Sequence, residues 1–191
     1  MITPLDEKKA RDAILNAFEK HREKPGADFN EEEFLDYLMA DGRPLGDVRN
    51  GFAGLRRLNR FYDMLQLDCA VCLEYQDMES SWAVDGLAAR ILRKKMNPAA
   101  QRGLARRRLE TAERNLISEP LKFGLFLILP AFFVLWSFFS NDVGAGLVLF
   151  LLAALVIFGI YHLQRRELAY ARLLLEAISA VKADAPPPAA G

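Results

Sequence analysis

Two apolar runs, Leu121–Phe139 and Val143–Tyr161, restrict this chain more than any other feature, because only Ser140-Asn141-Asp142 separates them. Each run is about 19 residues, and at ~1.5 Å of rise per residue a helix of that length covers roughly 28 Å. A bilayer hydrocarbon core is roughly 30 Å thick. Lys122, at the very start of the first run, is its only charge, and the second run has none. A long cationic side chain at such an end can snorkel toward headgroups. A break this short cannot return through a bilayer, so the pattern predicts a transmembrane helical hairpin over 121–161, with spans at 121–139 and 143–161.

Charge placement supplies a topology. The chain balances 25 Lys+Arg against 25 Asp+Glu, but the hairpin is flanked on both sides by arginine, while the link between the runs carries only Asp142. Positive flanks remain on the cytoplasmic side. The expected location is therefore integral to a membrane, the bacterial inner membrane, with both termini cytoplasmic. The first residues, MITPLDEKKARD, lack the apolar core of a signal peptide. Cys69 and Cys72 then lie in a reducing compartment, where a structural disulfide is not expected.

Ahead of the runs, residues 1–97 read as one small cytosolic α+β domain, mostly helical with a β-hairpin. A first helix over 5–24 carries Ile14, Leu15 and Phe18 on its apolar side, and Pro25-Gly26 ends it. Asn30 is placed to cap a second helix whose first turn holds Glu31, Glu32 and Glu33. Its buried face is Phe34, Leu35, Leu38 and Met39. A third helix over 45–65 follows the 3/4 spacing through Val48, Phe52, Leu55, Leu58, Tyr62 and Leu65. Gly51 and Gly54 weaken it by roughly 1 kcal/mol each against Ala, which points to close packing there. The shorter runs Leu67–Tyr75 and Ser81–Val84 read as the β-hairpin, and a closing helix follows over 86–96. Beyond Asn97-Pro98 come an amphipathic stalk helix (98–120), the hairpin, a return helix (162–183) expected to pair with the stalk, and a disordered Ala/Pro-rich tail (184–191).

Candidate sites are few. Arg49, Arg56, Arg57 and Arg60 form one basic stripe on the third helix, suited to an anionic ligand or a protein partner. The stripe followed by a hairpin resembles a winged helix-turn-helix in outline, but the domain is slightly acidic overall, which argues against nucleic acid. Arg106, Arg107 and Arg108 are candidates for a lipid surface. Pro130 removes a hydrogen bond in mid-helix and predicts a kink or hinge, and Gly144 and Gly146 permit close helix packing. Cys69-x-x-Cys72, read in a strand, points its thiols to opposite faces, and no further Cys or nearby His completes a zinc site. Neither metal nor cofactor is expected. No phosphate loop, GxSxG or HExxH motif occurs, so no enzyme is expected.

These observations predict a membrane-anchored, non-enzymatic regulator or adaptor. Its cytosolic sensor domain would bind a partner protein or an anionic ligand, and the lipid bilayer and a homo-oligomer are further expected partners. In layout alone the chain resembles the two-transmembrane effectors of bacterial anti-phage and stress systems. That resemblance implies an alternative, a hairpin that oligomerises and perturbs the membrane when the cytosolic domain is engaged.

Overall fold

The computed structural model describes residues 4–40, 48–74, 76–77, 83–139 and 143–181, and every regular element among them is helical. Helix α1 is Pro4–His21, and a 3-10 turn at Glu31–Glu33 leads into α2, Phe34–Ala40. Helix α3 is Val48–Cys69, α4 is Val84–Lys95, α5 is Pro98–Phe139 and α6 is Val143–Ala180. The chain divides into two compact units, one of residues 1–105 with 173–191 and the other of residues 106–172.

In the first unit α1 packs on α3 and α4, and α2 packs on α3. Helical periodicity dictates this core. Ile14 and Phe18 of α1, Phe34 and Leu38 of α2, Phe61 and Leu65 of α3, and Leu87 and Ile91 of α4 are all buried in one cluster. Each belongs to an i, i+3/i+4 apolar stripe, and burying such a side chain contributes roughly 1.5–3 kcal/mol. Aromatic rings meet edge-on at the centre, with Phe34 5.7 Å from Phe18 and 5.8 Å from Phe61, centroid to centroid. Asn30 caps as its sequence position predicts, its side chain accepting from the Glu32 amide at 3.0 Å. Helix α4 begins without a side-chain cap. Asp85 instead ion-pairs with Arg11, which also holds Glu31.

The structure corrects the α+β class. No strand occurs among the described residues, and the proposed first strand is the end of α3 followed by an extended segment. Ala70 adopts a positive φ of 51°. Its amide donates to Leu67 O at 3.1 Å and that of Val71 to Gln66 O at 3.0 Å, a Schellman closure of the helix. The backbone donors that a hairpin would have paired are taken by two buried glutamines. Leu73 N donates to Gln66 Oε1 at 2.9 Å, and Cys72 N to Gln101 Oε1 at 2.6 Å. Val71 and Leu73 are buried without a sheet. Of the second proposed strand, Ser81 and Trp82 lie outside the described residues, and Val84 opens α4.

The expected transmembrane hairpin is also overturned. Among the described residues, no helix is long and apolar enough to cross a membrane. This removes the two-transmembrane architecture over 121–161 and, with it, placement as an integral protein of a bacterial inner membrane with cytoplasmic ends. The apolar runs are not free-standing segments of bilayer length. They are parts of helices of 42 and 38 residues that also carry charged turns. The arginines counted as topology signals include Arg108 and Arg172, which are engaged with Glu167 and Glu113.

Within the second unit, Ala112, Leu168 and Ala171 form a small buried cluster with Leu109 and Leu116 against it. The stalk and return segments therefore lie side by side along a seam of alanine and leucine. Arg108 bonds Glu167 through Nη2 at 2.9 Å, with its guanidinium 4.9 Å from the Tyr170 ring centroid.

Candidate interaction surfaces

Helix α3 carries the basic stripe, and the structure divides its arginines by role. At 3.6 residues per turn, Gly54, Phe61 and Leu65 fall within about 40° of one another and form the inward line. A Cβ at Gly54 would lie 2.3 Å from the carbonyl oxygen of Met39, so this glycine lets α3 approach the end of α2. Among the described residues Gly51 has nothing within 4 Å of such a Cβ, and none of them packs closely against it.

Arg57, one turn beyond Gly54, serves the same junction. Its Nε donates to Leu38 O at 2.9 Å, its Nη2 donates to Met39 O at 2.8 Å, and its Nη1 lies 3.2 Å from Glu23. It caps carbonyls at the C-terminal end of α2, where a cation is also favoured by the helix dipole. Arg57 is thus a structural residue rather than part of an outward site. Arg56 and Arg60 are exposed. Arg49 sits in the first turn of α3, with its side-chain surroundings outside the described residues.

The outward face also holds residues that periodicity had assigned to the core. Phe52 is 66% exposed and Leu55 48% exposed. Phe52 lies about 160° around the helix from Gly54, and Arg56 and Arg60 lie about 40° and 80° further on. The sequence reading chose an apolar line through Val48, Phe52 and Leu55 that diverges from the line the core uses. Aromatic and arginine side chains are enriched at the centres of protein interfaces, and this face brings both types together. The signal was present in the spacing of Phe52, Arg56 and Arg60, one turn apart in succession.

Behind α3 is a buried cation that sequence reasoning missed. Arg22 donates from Nη1 to Glu19 at 2.9 Å and to Ala27 O at 2.7 Å. Its guanidinium carbon lies 4.8 Å from the Phe18 ring centroid and 5.2 Å from that of Phe29. Its Nε and Nη2 have no hydrogen-bond partner, and the two rings supply a cation–π environment in their place. Burial pushes the Glu19 carboxyl up, but the Gly26 amide and Arg22 outweigh that effect and hold it below its ordinary value. Burial, together with Lys20 and Arg60, pushes the His21 imidazole down. These groups pin the turn after α1, where Gly26 takes a φ of 77°.

The remaining candidates are dispersed. Cys69 ends α3 and Cys72 follows in the extended segment, both buried and neither in a disulfide, so their strand placement is corrected. Burial raises the Cys69 thiol, with Lys95 opposing and Asp68 adding. Among the described residues no His/Cys/Asp/Glu group suits a metal ion. In the basic triplet, Arg106 pairs with Glu110 at 3.4 Å on its own helix, Arg107 is exposed, and Arg108 turns toward α6. Pro130 falls within the single helix α5, and Gly144 and Gly146 fall within the first turn of α6. The side-chain surroundings of all three lie outside the described residues.

Comparison with protein-family models, curated proteins and solved structures finds no match to this chain.

Proposed function

We propose that the chain is a non-enzymatic regulator or adaptor whose N-terminal helical domain binds a protein partner or an anionic ligand through the outward face of α3. The supporting observation is the division of labour among the arginines. Arg57 is committed to the α2 carbonyls, whereas Arg56 and Arg60 stand exposed beside a phenylalanine that is 66% exposed. A large aromatic side chain left mostly in water is available to a partner, and a basic rim beside it favours an acidic counterpart by electrostatic complementarity. The membrane-perturbing alternative drew on the transmembrane hairpin and is not carried forward.

A photo-crosslinking phenylalanine analogue at position 52 of the full chain, expressed at native level, tests this reading. A discrete adduct is expected that disappears with Arg56→Glu/Arg60→Glu and does not form from the same probe at exposed Ala89. Equal labelling from both positions, or none from position 52, would sink the proposal.

A further inference from the structure

The second unit holds a surface that the α3 reading leaves unused. On α6, Leu155 and Phe158 are each 70% exposed, and Val156 and Ile160 are exposed beside them. On α5, Phe132 and Trp136 are exposed and stacked, with centroids 6.3 Å apart. We propose that this surface is covered by lipid acyl chains.

Three observations favour that occupant over a folded protein. First, the apolar exposure is broad. From Phe158 round to Ile160 the exposed positions of α6 sweep about 200° of the helix, at 3.6 residues per turn. A helix docked in a protein groove shows the narrower i, i+3, i+4, i+7 line of anchors, and a fluid apolar phase can cover a wide arc without matching shape. Second, the exposed side chains are large and bear no charge, whereas specific protein interfaces carry a polar rim and directed hydrogen bonds. Third, the apolar stretch on α6 ends in an amphipathic border. Tyr161 is exposed, the Arg165 guanidinium lies 5.6 Å from its ring centroid, and Arg166 is exposed next in line. Tyrosine and arginine with an apolar body and a polar tip suit the level of lipid headgroups. An apolar patch of this extent on a protein marks an interaction site, and the chemistry around it fits lipid.

The test uses the full chain with Trp82→Phe, so that Trp136 is the only indole, exchanged from detergent into neutral phosphatidylcholine vesicles with brominated acyl chains. The expected result is loss of most of the Trp136 emission relative to unbrominated vesicles, with protection from aqueous acrylamide. Adding Leu155→Asp/Phe158→Asp should reverse both effects. If Trp82→Phe perturbs folding, the wild-type chain is compared with Trp136→Phe instead, and the bromine-sensitive emission present only in the former is that of Trp136. Emission quenched by acrylamide and not by bromine would overturn the proposal. Protection from both quenchers, in a particle that light scattering shows to hold two or more chains, would overturn it in favour of a second copy of this chain.

Discussion

The two units treat the same kind of residue in opposite ways. In the first, phenylalanines converge: Phe18, Phe34 and Phe61 are fully buried against one another and against Leu65 and Ile91. In the second, Phe132 and Phe158 face outward, and the seam between the helices is built from Ala112, Ala171 and Leu168. Apolar content is therefore no guide to where a chain buries its apolar surface. The first unit has a stripe on each of four helices and enough neighbours to cover them. In the second, the described contact between two helices is a short seam of alanine and leucine, and the large exposed side chains lie outside it.

The largest expected effect breaks this symmetry directly. Phe61→Ala leaves a cavity at the centre of the first unit and should cost roughly 3–5 kcal/mol in denaturant unfolding. Phe158→Ala, in the same chain without lipid, should lie within about 0.5 kcal/mol of wild type, as exposed positions do. A comparable loss from both would mean that the second unit also folds around its phenylalanines, and the contrast would fail.

A smaller contrast lies within α3. Gly54→Ala drives a methyl group into the Met39 carbonyl, and since that neighbour is backbone it cannot turn aside. The expected loss is about 1–3 kcal/mol, typical of overpacking. Gly51→Ala meets none of the described residues and should stabilise by roughly 0.5–1 kcal/mol through helix propensity. Chemical denaturation of the two variants side by side reads the difference, and a loss at Gly51 would place an unseen neighbour against it.

These residues also mark how far the sequence was legible. The helical stripes of α1, α2 and α4 and the Asn30 cap could be read directly, because each depends on residues within a turn or two of one another. The roles of Gln66 and Gln101 could not. Leu67–Tyr75 has the composition of a short strand, and what denies it a partner is a glutamine 29 residues away from Cys72. Arg57 looked identical to Arg56 for the same reason, since the carbonyls it caps belong to another helix. Phe52 was assigned inward because an apolar line at helical spacing has two possible courses along α3, and only Gly54, fitted against Met39, selects one. The apolar runs were the most legible feature and the most over-read. Their length matches a bilayer, yet no described helix is long and apolar enough to cross one, and the side chains they place on α5 and α6 form an exposed apolar surface.

The smallest effect is a pH dependence confined to the first unit. Burial depresses the His21 imidazole below its ordinary value of 6.5, and Lys20 and Arg60 add to this by repelling a proton. As pH falls past the ordinary value, the unfolded chain takes up a proton before the folded one does, so stability decreases with acidification until the folded group also titrates. The contribution is thus fully present above about pH 6.5 and lost below it. Glu19 acts in the same direction at lower pH: its carboxyl is held down in the fold, so its contribution is lost as pH falls through the carboxylate range. The denaturant midpoint of the full chain should therefore slope downward from neutral pH in two stages. His21→Gln should flatten the upper stage and leave the lower one, and Glu19→Gln should do the reverse. An unchanged upper slope in His21→Gln would locate that sensitivity in another group and detach His21 from the turn that Arg22 and Gly26 hold.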